Sequence, residues 1–260
     1  MRRCWTERWY DKGMLIDTHC HIHESDYPLL VSDVLQRAHS AGVDKFICVG
    51  TSEQSSVEAV RFAGEHDNAF AAVGVHPHDT KDGYGQIAHL AKQNVVAIGE
   101  VGLDYYYNHS PRDVQIAALE AQIQIALDNN LPIIFHVREA FDDFWPLFDN
   151  FHGIRGVLHS FTDTQDNLDK AFTRGLYVGV NGISTFTKDP AQQKMYAVVP
   201  LERMLLETDA PFLTPTPYRG TINEPAFVSE VAKFHAKIRG IQPDEVAAAT
   251  TTNATTLFHF

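Results

Sequence analysis

The chain has no window of 18 consecutive apolar residues and no short apolar core followed by a small-residue cleavage site, so neither a membrane-spanning helix nor a secretory leader finds support. A cytoplasmic location is the expectation. Cysteine is scarce: Cys4, Cys20 and Cys48 are three in number and lack C-x-x-C spacing, which argues against a disulfide framework and a thiolate zinc site. Positive charge is also short, with 21 Lys and Arg against 33 Asp and Glu and a formal net charge of −12. Proteins that coat nucleic acid neutralise phosphates with Lys and Arg, so this balance opposes nonspecific adhesion. Binding at one point is still open, because divalent cations held in a cleft invert the local field. No Gly/Ser-rich linker, charge block or low-complexity tract divides the chain, and nothing marks an obligate protein partner.

From residue 14 onward, short runs rich in Val, Ile and Phe alternate with stretches of helical length. The runs are MLIDTH, KFICVG, AFAAVGVH, VVAIGE, PIIFH, GVLHSF, LYVGV and MLLETD, with 111–129 and 223–239 reading as helices. Eight such units within about 250 residues predict an α/β fold of the (β/α)8 TIM type rather than an open doubly wound sheet. Residues 14–260 are read as one barrel domain. Residues 1–13, carrying Arg2, Arg3, Arg8 and Lys12 beside Trp5, Trp9 and Tyr10, are read as a flexible extension.

In such a barrel the C-terminal ends of the strands converge on one mouth. Here those ends carry His19 and His21 on strand one, Glu100 on strand four, His136 on strand five, His159 on strand six and Asp209 on strand eight. Histidine is abundant, at 14 residues, and H-x-H pairs also arise by chance, so His19-x-His21 alone proves little. Strand parity selects it: His19 and His21 share a face and Cys20 takes the other. Any single carboxylate at a strand end is more simply a helix cap. Six nitrogen and oxygen donors from five strands at one end of a barrel define a metal site, and the mixed set suits Zn, Mn or Mg better than Ca. Glu100 is the expected bridge between two divalent ions, one held by His19, His21 and Asp209 and the other by His136 and His159. A water between two cations has its pKa lowered toward neutrality, and Asp209 is placed to take its remaining proton as general base. Glu207, two residues before Asp209, shares its face and could look into the mouth.

The motifs DTHCH, GVHPH, AIGEVGLDY, FHVRE, LHSF, LLETDAP and RGTINEP, in that order across residues 14–260, resemble the TatD family of metal-dependent deoxyribonucleases. The resemblance implies an amidohydrolase-type barrel, two or three divalent ions and hydrolysis of DNA phosphodiester bonds. It carries the family's metal ligands onto His19, His21, Glu100, His136, His159 and Asp209, and its accessory acid, a candidate ligand for an additional metal, onto Glu207. Thr221 and Ile222 stand where many members have a basic pair.

Candidate substrate contacts are Arg138 and Arg219, whose guanidinium forks match phosphate oxygens, His76 at the end of strand three, and Tyr105 and Phe161 as rings around the mouth. Surface ion pairing and packing of the barrel top are the bland alternatives. The expected activity is exonucleolytic cleavage of DNA, acting on single strands or ends. The competing expectation is a hydrolase of the same barrel acting on a carboxylic ester, cyclic amide or aminoacyl-tRNA ester. A branch that bridges its metals with carbamylated lysine is disfavoured by Glu100. A scaffold that had lost its chemistry would not keep all six ligands.

Overall fold

The computed structural model describes residues 14–260; the extension 1–13 lies outside the described residues. Eight strands form one sheet in the order of the chain: β1 Leu15–Cys20, β2 Val43–Val49, β3 Ala69–Val73, β4 Ala97–Asp104, β5 Ile133–Arg138, β6 Gly156–Leu158, β7 Tyr177–Val180 and β8 Met204–Leu206. Each pairs in parallel with the next, the pattern that helical crossovers produce. The eight predicted runs are these eight strands, and the barrel expectation holds.

The seam between β8 and β1 is closed just beyond the strand ends. His21 N–H donates to the Ala210 carbonyl at 2.7 Å, and Asp209 N–H to the His19 carbonyl at 2.8 Å. Below them the buried Asp17 carboxylate accepts from Thr208 N–H at 2.8 Å and from Thr208 Oγ1 at 2.6 Å. The chemistry of the mouth is thus tied to barrel closure.

Alternation divides the core into two layers. Inside the barrel, Ile16, Ile47, Val49, Ala72, Ala97, Ile134, Val157 and Leu205 pack with Ala254, Leu257 and Phe258 of the helix Pro243–Phe258, which forms a floor. Outside it, Phe46, Val101, Phe135 and Leu158 pack with helix residues such as Leu119, Ile123 and Phe144. The floor helix begins with a reciprocal Gln242/Glu245 capping box and Pro243 at its first position. Asn253 Nδ2 pins it to the base of β8 through the carbonyls of Leu201 and Met204. At about 1.5–3 kcal/mol for each fully buried large apolar side chain, this floor is a principal source of stability.

Three boundaries differ from the sequence reading. β4 does not end at Glu100 but runs on to Asp104. The segment 223–239 is a 3-10 turn, Pro225–Phe227, followed by the helix Val228–Arg239, while 111–129 contains the helix Arg112–Asp128. Finally, β8 stops at Leu206, and Asp209 has φ 60°, so Glu207 and Asp209 reach the mouth from an irregular segment rather than by strand parity.

Candidate active site

Two irregularities in the ladder aim the central ligands inward. In β1 the register shifts between Asp17 and Cys20, so that Ile16 faces the interior, Cys20 joins the outer layer, and His19 and His21 both turn into the mouth. In β4 the register shifts between Ile98 and Val101, where the Gly99–Glu100 peptide is cis, and Glu100 is brought under the histidines. β5 needs no such device: Ile134, His136 and Arg138 alternate with the outward Ile133 and Phe135.

Glu100 is the hub. Its Oε2 lies 3.3 Å from His19 Nε2, while its Oε1 lies 2.8 Å from His136 Nδ1, 3.3 Å from His159 Nε2 and 3.5 Å from His76 Nε2. Asp209 Oδ1 stands 3.3 Å from His21 Nε2 and 3.6 Å from His19 Nε2. All six predicted ligands therefore meet in one cluster. His76 joins them, and the donor atoms of His76, Glu100 and His136 form one compact group, those of His19, His21 and Glu100 another, and those of His19, His159 and Asp209 a third. The sequence reading had paired His136 with His159 and reserved His76 for substrate.

The donor chemistry fits divalent cations. His21 Nδ1 donates to the Val49 carbonyl at 2.8 Å, which leaves the Nε2 lone pair free for a ligand. That nitrogen faces His19 Nε2 at only 3.2 Å, so either a proton or a cation must lie between these lone pairs and the nearby carboxylates. His19 Nδ1 is buried without a hydrogen-bond partner. His159 Nδ1 is 3.1 Å from Glu207 Oε1 but off the angle of a hydrogen bond.

Charges without the ions reveal how tightly the groups are coupled. Burial opposes ionisation of Glu100, yet the positive field of His159 and His76 and the bond from His136 hold its carboxyl well below the usual range. Burial likewise opposes protonation of His21, but the bond and charge of Asp209, with Glu100 and Glu24, push it up to about 9. His159 is raised against its burial by Glu100 and Glu207. Burial opposes ionisation of Asp209 too, and the bond from His21 with the surrounding imidazoles holds it low. A proton on His21, His136 or His159 and a divalent cation would thus satisfy the same negative centre.

Sequence reasoning missed Asp104. Its side chain is fully buried, and Oδ2 is shared by His136 Nε2 at 3.1 Å and His78 Nε2 at 3.0 Å, while Oδ1 accepts from the N–H groups of Tyr106 and Tyr107. A carboxylate behind a ligand histidine fixes its ring, and the true end of β4 was the signal available. Glu207 is similarly enclosed: it accepts from Ser160 N–H at 2.6 Å, and its carboxylate lies against Gly179, where a side chain would force it to move.

A cavity of about 550 Å³ opens above the cluster and is lined by His78, Tyr107, Arg138 and Phe212 as well as by His21, Glu100, His136, His159 and Asp209. Arg138 is held over the rings of Tyr106 at 4.1 Å and Tyr107 at 4.9 Å. Three expected substrate contacts do not line it. Tyr105 is buried, with its hydroxyl donating to Asp143 at 2.7 Å. Phe161 is buried against Phe141. Arg219 lies 3.7 Å over Phe186 and donates to the Thr214 carbonyl. In each case local packing or a local acceptor claims the side chain. Asn223 of the Asn-Glu-Pro segment acts structurally, since its Nδ2 holds the carbonyls of Thr208 and Phe212 and so fixes the loop that carries Asp209.

An eight-stranded parallel barrel with imidazoles and carboxylates clustered at its C-terminal mouth defines a metal-dependent hydrolase of the barrel type. A family model described as TatD related DNase matches residues 16–259, and the chain belongs to that family. It is 35% identical over 252 residues to the uncharacterized metal-dependent hydrolase YabD of Bacillus subtilis, covering 94% of this chain and 99% of the relative. It is 36% identical over 238 residues to the 3'-5' ssDNA/RNA exonuclease TatD of Citrobacter rodentium, covering 87% of this chain and 90% of that one. The crystal structure of YJJV, a TatD homologue from Escherichia coli, superposes with a TM-score of 0.85 at 29% identity, over 95% of this chain and 98% of the other.

Proposed function

We propose that the protein is a deoxyribonuclease that shortens single-stranded DNA from an end, using two divalent ions, Zn, Mn or Mg, at the barrel mouth. The observation that carries this reading is the convergence of His19, His21, Glu100, His136, His159 and Asp209 in one cluster at the foot of a cavity that also presents a guanidinium. The exonuclease named among its relatives supports the substrate class. His19, His21 and Asp209 would hold one ion, His136 and His159 the other, with His76 beside the second and Glu100 between them. When bound, such ions polarise phosphate oxygens and acidify water.

The protein's own groups supply the rest. Asp209, kept ionised against its burial, takes the proton of the attacking water. Arg138, stacked on Tyr106 and Tyr107, grips a nonbridging phosphate oxygen. Asp104 fixes His136, and Glu207, held through Oε1 by Ser160 and Asn181, sets its negative charge beside His159. Among the described residues no helix is long and apolar enough to cross a membrane. We read the location as cytoplasmic, and residues 14–260 as one domain.

The test is hydrolysis of end-labelled single-stranded DNA by metal-stripped protein reconstituted separately with Mg, Mn and Zn. Stepwise shortening from one end supports the reading. Ion binding with no cleavage of DNA, together with turnover of a carboxylic ester or cyclic amide, would replace it with the carbon-centred alternative.

A further inference from the structure

Phe212 is a large apolar side chain left exposed at the mouth itself. It is 59% exposed, lines the cavity above the ligand cluster, and makes none of the ring contacts that engage Tyr106, Tyr107 and His109 on the opposite rim. A single exposed phenylalanine is unremarkable on an ordinary surface loop. This one is not on such a loop. It follows Asp209 by three residues, its N–H donates to the Asp209 carbonyl at 2.8 Å, and its own carbonyl is held by Asn223 Nδ2. Thr208 is fixed from the other side by the same amide and by Asp17. The ring is therefore presented at the mouth by a backbone pinned on both sides, so little ordering entropy remains to be lost when a ligand packs on it.

Across the cavity the rim has the opposite chemistry. Arg138 carries the positive charge, and Tyr106 and Tyr107 hold its guanidinium by their faces. His78 packs edge-on to Tyr107 and is bonded to Asp104, so this side is already filled with mutual contacts. One rim thus offers a positioned cation and the other an open aromatic ring, with the ligand cluster between them. A nucleotide has the matching two ends, a phosphate and a flat base.

We propose that Phe212 is the stacking platform for the base of the nucleotide adjoining the scissile phosphate, with Arg138 holding that phosphate across the mouth. This deepens the nuclease reading and rests on it. A base can lie on Phe212 only when it is splayed out of a duplex, so this residue imposes the preference for unpaired ends, and stacking makes the preference tolerant of sequence.

The experiment compares wild type, Phe212→Ala and Phe212→Tyr, each reconstituted with Mn, on two oligonucleotides: one normal, and one whose terminal residue, at the end that wild type degrades first, is abasic. For the normal strand, Phe212→Ala should raise KM by about 5- to 150-fold, the span of one base–aromatic stack, and Phe212→Tyr should restore it. On the abasic strand wild type should already show that higher KM, and Phe212→Ala should add nothing. The ratio of cleavage of single-stranded to blunt duplex DNA should fall in Phe212→Ala. An unchanged KM in a Phe212→Ala protein of unaltered melting temperature overturns the stacking role alone. An equal further loss on the abasic strand also overturns it, because the ring would then act without a base. If wild type cleaves neither strand, the nuclease reading fails, and this proposal with it.

Discussion

The two ends of the barrel are built from the same eight strands and differ in almost everything else. At the floor, Ile16, Ile47, Ala72, Ile134 and Leu205 meet Ala254, Leu257 and Phe258 in an apolar layer that excludes water. At the mouth, two to five residues further along the chain, within or just past those strands, His19, His21, Glu100, His159 and Glu207 are as deeply buried but are titratable. The floor is stabilised by dispersion and the hydrophobic effect, which tolerate any side chain of suitable shape. The mouth requires every charge to be matched, and it holds its geometry through a chain of hydrogen bonds from Asp104 to His136 to Glu100. Folding energy and chemistry are thus assigned to opposite ends of one element, and each can be perturbed alone.

The largest expected effect is at the mouth. Asp209→Asn should lower the rate of cleavage by about 10²- to 10⁴-fold, the contribution of a general base, while circular dichroism still reports the wild-type fold and the ion-free melting curve moves only by the loss of the His21–Asp209 pair. Unfolding of this variant would break the separation of roles.

Its counterpart is Leu257→Ala at the floor. A buried leucine truncated in this way costs about 2–5 kcal/mol, read by denaturant unfolding, and the rate per folded molecule should be unchanged. A loss of rate beyond the loss of folded protein would show that floor and mouth are coupled.

Ion removal sharpens the contrast further. An ion present at 100 times its Kd stabilises the fold by about 2.7 kcal/mol, so a chelator should lower the melting temperature of wild type and of Leu257→Ala alike, and that of Asp209→Asn much less.

A pH series separates two buried histidines of opposite sign. His235, behind the barrel, has its ring between Ser184 and Arg239, and burial with the Arg239 charge pushes it down to about 3. It stays neutral in the fold while the unfolded chain takes up a proton below about 6.5. Its contribution is therefore full above that pH and is lost as pH falls toward 3, by about 1.4 kcal/mol per unit. His235→Gln should flatten this acid limb in thermal unfolding. His21 in the ion-free protein runs the other way: raised to about 9, its contribution is present below about 6.5 and lost as pH rises through 9. Bound metal should abolish that alkaline dependence, because a cation replaces the proton.

The smallest expected change is Arg138→Lys, which keeps the charge but loses the planar stack on Tyr106 and Tyr107. KM for DNA should rise by about three- to tenfold with the ion content unaltered.

Alternation of apolar runs was enough to read all eight strands, because each is a core element whose pattern is set by burial. The clustering of the six candidate ligands was legible for the same reason: strand ends in a barrel converge whatever the intervening loops do. The sequence was silent where local competition decides. Nothing in the run Asp104-Tyr105-Tyr106-Tyr107 tells which ring is captured by Asp143 and which remain over Arg138. Nor does the sequence tell that the Arg219 side chain lies over Phe186 and donates to the Thr214 carbonyl. Asp104 was hidden by the assumption that β4 stops at Glu100, since the register shift that lets the strand continue leaves no periodic trace. Glu207 and Asp209 reach the mouth by a positive-φ turn that parity cannot foresee.

The most direct test of the two-ion centre is the ion content of the purified, dialysed protein, measured by elemental analysis for wild type and for Glu100→Gln after loading with Mn or Zn. The shared position of Glu100 predicts two ions per wild-type chain, and loss of at least one in the variant. Failure of wild type to retain any divalent ion, or full retention of both by Glu100→Gln, would contradict a bridged two-ion centre at the mouth of this barrel.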